Sequence, residues 1–271
     1  MEDVIRKAAQ DIFSSHYAVA LTGAGISTES GISDYRGPSG VWTVNPRAEQ
    51  EAYRSYDEFL QDPALWWNKA VAAGSSLFGI ANFDDVLPNA GHYALAEMES
   101  MGILKCTITQ NVDSLHEKAG TKNLIEYHGS TSKFRCLDCG LRFGRDVFDI
   151  RILHKDGKLP PLCPECGGII KTDTVFFGEQ IPGDVVSRSL EEANKCDLML
   201  ICGTSAVVYP FASLPVIARE RSNVTVIEVN AEPTPLTLKG VSDYLIRGKT
   251  GVVLPLILEQ LKFMEEQRQE K

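Results

Sequence analysis

Two C-x-x-C pairs, Cys136-Leu-Asp-Cys139 and Cys163-Pro-Glu-Cys166, are the residues whose type and spacing speak most directly of chemistry. Glycines beside them (Gly140, Gly167, Gly168) allow turns that bring each pair of sulfurs together, and 23 residues separate the pairs. Four thiolates in a tetrahedron suit zinc with no open coordination position, so the metal they would hold is structural rather than catalytic. The other cysteines, Cys106, Cys196 and Cys202, lie in or beside apolar runs and read as small buried residues. A second set of groups lies at the ends of apolar runs. Gly23-Ala24-Gly25 ends one of them, where a glycine backbone can approach a phosphate at a helix N-terminus. As a dinucleotide fingerprint the turn is incomplete, because the third glycine falls at Thr28. Alone it fits a phosphate site or a plain tight turn equally. Gly203-Thr204-Ser205 closes another run with amide and hydroxyl donors, Asn230 closes a third within reach of a ribose, and Arg36 is available to a pyrophosphate. Polar groups at three such ends suit a dinucleotide better than a mononucleotide.

These residues need elements to hold them. Residues 3–15 read as a helix, Tyr17–Leu21 as a strand, and residues 45–80 as helix and loop, with Pro63 opening a helix after Asp62. Asn89 reads as the cap of a helix that Gly102 terminates. The segments LKCTITQN, NLIEYHGS, DTVFFGE, DLMLICGTS and VTVIEVN read as strands, each ending in small or polar residues. Short apolar strands alternating with helices predict a mostly parallel α/β sheet covered on both faces, with ligands at the carboxyl ends of its strands. Those ends are Gly23–Gly25, Gln110-Asn111, Tyr127-His128-Gly129, Gly178-Glu179, Gly203–Ser205 and Asn230. His128 stands out among the five histidines because it ends a strand beside Gly129 at that edge.

The blocks GAGIST, GISDYRGPSGVW, TQNVDSLHEKAG, YHGS, the two C-x-x-C pairs, FFGE, GTSAVVYP and VN occur in the order found in sirtuins, and the resemblance runs from about residue 3 to about residue 262. Sirtuins are NAD-dependent protein-lysine deacylases. The resemblance implies a Rossmann-like NAD-binding domain over 1–36, 85–130 and 172–271. It implies a small domain made of a helical module, 37–84, and a zinc module, 131–171, with the acyl-lysine peptide in the cleft between the two domains. By the same resemblance His128 is the catalytic base and Asn111 orients the ribose. Gly23, Ala24, Gly25, Ser27, Asp34, Tyr35, Arg36, Trp42, Gln110, Asn111, Val112, Asp113, Gly203, Thr204, Ser205, Asn230 and Thr250 would line the NAD site. Val175, Phe176, Phe177, Gly178 and Glu179 would pair with the peptide by strand addition, with Val207 and Tyr209 on the opposite wall. His116 would serve packing and hydrogen bonding, while His16, His92 and His154 carry no functional signal. Ser33 stands where many members have proline, and Tyr35 where many have phenylalanine.

The resemblance also bears on the acyl group. Members that remove succinyl or malonyl groups carry a Tyr-x-x-Arg in the helical module. The matching stretch here, DPALWWNKAVAAG, has none, and Tyr53-Arg54 lies at the wrong spacing. Acetyl or longer apolar acyl groups are therefore expected. The competing readings are a protein ADP-ribosyltransferase on the same scaffold and a non-catalytic NAD-binding or ADP-ribose-binding module.

Bulk properties exclude other classes. The net charge of −9 disfavours direct nucleic-acid binding, and the missing third glycine disfavours a dehydrogenase. No apolar run is long enough to span a membrane, and the first residues lack a secretory pattern. The expected location is the cytosol, or the nucleus if the source is eukaryotic.

Overall fold

Every residue of Ala18–Thr22 is buried, and this segment forms the first strand, β1. The computed structural model describes residues 1–72, 83–220 and 223–269. The other strands are β2 (Leu104–Thr109), β3 (Leu124–Glu126), β4 (Lys133–Cys136), β5 (Arg142–Gly144), β6 (Ile170–Thr172), β7 (Leu198–Cys202), β8 (Thr225–Asn230) and β9 (Tyr244–Arg247). Six of them form a sheet in the order β3-β2-β1-β7-β8-β9, with every neighbouring pair parallel.

The near-continuous apolar character of these strands reflects burial on both faces. Ala18, Ala20, Leu198, Leu200, Ile227 and Val229 face one core, built with the helices Glu2–Ser14, Ala90–Ser100 and Thr250–Gln269. The intervening Val19, Leu21, Met199, Ile201 and Val226 face the other, which the helices Gly183–Lys195 and Leu214–Arg219 close with Val185, Ala193 and Leu214. A one-residue register slip would exchange the two sets, so each strand's alternation specifies its orientation. Cys106, Cys196 and Cys202 are buried in these layers, as their apolar setting predicts.

The chain runs outward from β1 to β3, then returns to place β7 on the free side of β1. That reversal makes the carboxyl ends of β1 and β7 the switch point of the sheet. The return passes through a second, antiparallel sheet, β5-β4-β6. A third core joins it to helices from the 37–84 stretch. There Phe59, Trp66 and Trp67 pack with Phe134, Cys136, Cys163 and Ile170, and the Trp67 indole donates to the Ile170 carbonyl at 3.0 Å.

The expected helices form at Pro46–Gln61 and Pro63–Ala72, the latter opened by Asp62, whose carboxylate accepts from Leu65 N at 2.8 Å. The part of that reading over residues 73–80 lies outside the described residues. The expected strand over residues 173–179 does not form. Gly178 takes a left-handed φ of +84°, Glu179 N donates to the Phe176 carbonyl at 3.0 Å, and the Glu179 side chain accepts from Phe176 N at 2.9 Å. The segment is thus a turn, and Gly178-Glu179 is not an end of the parallel sheet. Conversely, β9 is too short and too polar at its ends to be read from periodicity.

Candidate active site

The two switch-point turns cross in backbone contact. Gly23 N donates to the Cys202 carbonyl at 3.1 Å, and Gly25 N to the Gly203 carbonyl at 2.7 Å. A Cβ on Gly25 would lie 2.7 Å from Gly203 O. One on Gly203, whose φ is +60°, would lie 2.3 Å from Ile26 N. Glycine is required here because two loops share one space. After Gly23 the chain makes a 3₁₀ turn, Ala24–Ser30, rather than the α-helix a phosphate fingerprint presumes. Thr28, in the third-glycine position, bonds back to the Gly25 carbonyl at 2.9 Å.

A buried polar cluster lies against this crossing. Asn111 donates from its side chain to the Gly23 carbonyl at 3.1 Å and to Ser27 Oγ at 3.2 Å, and Ser27 Oγ donates to Asp113 at 2.6 Å. Burial pushes the Asp113 carboxyl above the usual carboxylate range, against its bonds from Ser27 and Leu115 N. Gln110 reaches across the sheet edge to Thr204 Oγ1 at 2.6 Å, and Asn230 donates to the Thr204 carbonyl at 3.4 Å. The ends of β1, β2, β7 and β8 are therefore joined by side chains of the expected set. Val112 ties this edge to the next segment, its carbonyl accepting from both N and Oγ1 of Thr131. Ser205 is exposed beside Thr204. Thr250 is buried at the start of the last helix, just past β9, and its hydroxyl has no partner among the described residues.

His128 comes after β3 at the same edge, its ring packed on Tyr127 and Phe211. Nδ1 lies 3.2 Å from the Gln110 carbonyl. A carbonyl can only accept, so the neutral ring carries its proton on Nδ1 and offers a lone pair at Nε2. Burial lowers the ring's pKa to about 4 despite that bond, which keeps Nε2 unprotonated at neutral pH. The next residue, Gly129, has φ +72°, and a Cβ there would meet Asp173 O at 1.9 Å. The 173–179 segment thus lies directly on the His128 turn, with Val175 N donating to the His128 carbonyl at 2.8 Å.

The loop that carries Asp34, Tyr35 and Arg36 is closed on itself. Asp34 accepts from Gly37 N at 3.0 Å through its side chain and from Val41 N at 2.8 Å through its carbonyl, and Trp42 N donates to Tyr35 O at 3.0 Å. Arg36 lies over the Trp42 ring at 4.4 Å and reaches Glu49 at 3.5 Å. Trp42 in turn meets Phe177 at 5.5 Å, and Phe177 meets Tyr53 at 4.5 Å. Phe176 turns the other way, into the third core beside Trp66. The pair therefore divides, one ring in the core and one toward the loop. Val207 and Tyr209 are exposed after β7. Ser33 is exposed, and nothing in the structure explains its departure from proline.

The sulfur atoms of Cys136, Cys139, Cys163 and Cys166 lie within 4.8 Å of one another, with contacts of 3.5 Å (Cys136–Cys166) and 3.8 Å (Cys139–Cys163). A zinc tetrathiolate needs sulfur separations of about 3.8 Å, so the set suits zinc once the wider pairs, at up to 4.8 Å, draw in by about an ångström. Each pair forms the same turn: Gly140 N donates to the Cys136 carbonyl and Gly167 N to the Cys163 carbonyl, with φ of +74° and +75° at the two glycines. No other group of three or more metal-ligating side chains converges among the described residues.

The model of the Sir2 family matches residues 23–210. This chain belongs to the Sir2 family. It is 40% identical over 250 residues to NAD-dependent protein deacylase 2 of Pyrobaculum aerophilum, covering 92% of each chain. A solved Sir2 homologue–NAD complex superposes with a TM-score of 0.75 at 38% identity, over 95% of this chain and 94% of that one. A Sir2 variant solved with a deacetylated p53 peptide and 3′-O-acetyl-ADP-ribose superposes with a TM-score of 0.76 at 31% identity, over 94% and 98%.

In this sirtuin His92, which carries no signal in the sequence beyond its position, belongs to the buried cluster. It is fully buried, its Nδ1 accepts from Asn89 N at 3.3 Å in a reciprocal helix cap, its Nε2 lies 3.5 Å from Ser27 Oγ, and its ring meets His116 at 4.9 Å. Its place three residues after the cap Asn89, where a side chain reaches back to the cap amide, is the feature that could have marked it. His116 is hydrogen-bonded, as expected, with Nε2 2.9 Å from Thr22 Oγ1.

Proposed function

We propose that this sirtuin removes acyl groups from protein lysines with NAD as co-substrate, and that His128 is its base. The observation that carries the reading is the His128 ring itself. Its Nδ1 is held by a backbone carbonyl and its Nε2, with no hydrogen-bond partner among the described residues, can take a proton at the edge where the strand ends converge. In this reading the acyl oxygen displaces nicotinamide at C1′ of the ribose. His128 Nε2 then takes the proton of a ribose hydroxyl as that oxygen attacks the acyl carbon, the lysine amine is expelled with a proton, and water completes the transfer of the acyl group to ADP-ribose. Asn111 and Asp113 hold the ribose and the carboxamide, while Tyr35 and Trp42 keep water from C1′. The remaining expected residues line NAD along the crossed turns, and the Val175–Glu179 segment holds the peptide opposite Val207 and Tyr209. The cleft lies between the body 1–36, 85–130 and 172–271 and the small domain 37–84 and 131–171. Zinc, when bound by the four thiolates, supplies rigidity to that small domain and takes no part in the reaction.

An apolar acyl group is the proposed substrate, because Trp42, Tyr53 and Phe177 offer rings and the helical stretch lacks a paired tyrosine and arginine. The proposed location is cytosolic, where reduced thiolates are available for zinc. No helix of the described residues is long and apolar enough to cross a membrane.

The test is to incubate the protein with NAD and acetyl-, longer apolar acyl- and succinyl-lysine peptides, tracking nicotinamide and O-acyl-ADP-ribose by mass spectrometry. Both products are expected with the first two classes, and His128→Ala is expected to lose about 10²–10⁴-fold in rate. Acyl loss without NAD, or full activity in His128→Ala, would overturn the mechanism. Label on protein without deacylation would replace it with the transferase reading.

A further inference from the structure

Three cations line up across the small antiparallel sheet. Arg135 on β4 is the cross-strand neighbour of Arg142 on β5 and of Lys171 on β6. Directly opposed side chains share a face, and like charges so placed repel. Lys171 is fully buried and Arg135 nearly so, so water does little to relieve that repulsion. Two buried carboxylates enter the row instead, both from the segment after β6. Asp173 stands 2.9 Å from Arg135 Nε and 3.2 Å from Arg142 Nε. Glu179 stands 2.5 Å from Arg135 Nη2 and 3.0 Å from Lys171 Nζ. The row Arg142, Asp173, Arg135, Glu179, Lys171 therefore alternates in sign from end to end.

Its two anions bracket the peptide segment. Between them Lys171 donates to the Thr174 carbonyl at 2.5 Å and sits 4.1 Å from the Phe176 ring centre. Val175 N holds the His128 carbonyl, and Phe177 meets Trp42 and Tyr53. For stability alone a buried ion row is a poor device, since apolar side chains of similar volume do as well without desolvating charge. What charge adds is direction, because each carboxylate has one place between two cations.

We propose that Arg135, Lys171, Asp173 and Glu179 are positioning residues that set the 173–179 segment in register with His128, so that the zinc sheet governs how the acyl-lysine peptide is held. The choice of ligand rests on the deacylase reading. The row itself is tested without it.

Glu179→Gln and Asp173→Asn are to be made in the full chain. The expected result is a rise of about tenfold or more in KM for the acyl-lysine peptide, with ADP-ribose affinity and zinc content unchanged. Hydrogen exchange at the Val175 amide is expected to accelerate while the parallel sheet stays protected. Lys171→Arg should retain the parent KM and Lys171→Met should not. Unchanged peptide KM and unchanged Val175 exchange in Glu179→Gln would overturn the proposal. So would loss of zinc from that variant, since the row would then hold the module together rather than aim the segment. A parent protein that releases no nicotinamide with any acyl peptide would sink the deacylase reading alone, and Val175 exchange would still decide the row.

Discussion

At the scale of single residues, the site depends on which neighbour each imidazole meets. The Gln110 carbonyl settles the tautomer of His128, and neither Tyr127 before it nor Gly129 after it encodes that bond. His92 shows the same dependence through burial. Burial holds its pKa at about 4, against about 6.5 in an unfolded chain. The unfolded state therefore binds the proton first, so stability from neutral His92 is complete above pH 6.5 and is lost as pH falls toward 4. The slope is about 1.4 kcal/mol per pH unit. His92→Gln keeps a side chain that can reach the Asn89 amide and removes the titration. Urea denaturation from about pH 7 to about pH 4 should show a decline shallower by that slope in the variant, and equal slopes would contradict the assignment.

At the scale of elements, the turns at the strand ends do the positioning. Gly129→Ala forces a Cβ toward Asp173 O at a φ of +72°, which requires the His128 turn and the 173–179 segment to separate. The expected loss is about 2–4 kcal/mol of unfolding free energy, measured in urea, with peptide turnover falling further than stability explains. Gly203→Ala should cost a similar amount by pushing the β7 turn off Ile26. The glycines themselves were legible in the sequence, but their reason was not. Gly23 and Gly25 read as phosphate-approach positions, whereas the fold also needs them for the crossing with Gly203. The segment 173–179 reads as a strand from its apolar run, yet Gly178 and the Glu179 cap fold it into a turn.

At the scale of the whole molecule, zinc and the third core are one structural unit. Cys136 and Cys163 pack with Trp66 and Trp67, and Trp42 is the remaining tryptophan of the chain. Emission from Trp66 and Trp67 thus reports on the small sheet and its helices, and that from Trp42 on the loop of Asp34, Tyr35 and Arg36. Purified protein is expected to hold about one zinc per chain. Removing it with a chelator should red-shift tryptophan emission while far-ultraviolet circular dichroism keeps most of its amplitude, and restoring zinc should reverse the shift. Folded protein without stoichiometric zinc would refute the metal assignment.

Features encoded at short range were readable from the chain before any fold was known. The apolar runs with small or polar ends, DTVFFGE apart, specify buried parallel strands and where their carboxyl ends fall, and the two C-x-x-C pairs specify a tetrathiolate. Asn89, Pro63 and Gly102 mark helix limits by their own backbone chemistry. Contacts between residues far apart in the chain were decided by the folded arrangement alone. Gln110 meets Thr204 across 94 positions, and Glu179 meets Arg135 across 44. Such pairs depend on strand order and register, which sum over every packed side chain in the layers, so no local spacing announces them. The same physics makes Glu179, read as a peptide contact, the anion between two buried cations of the zinc sheet.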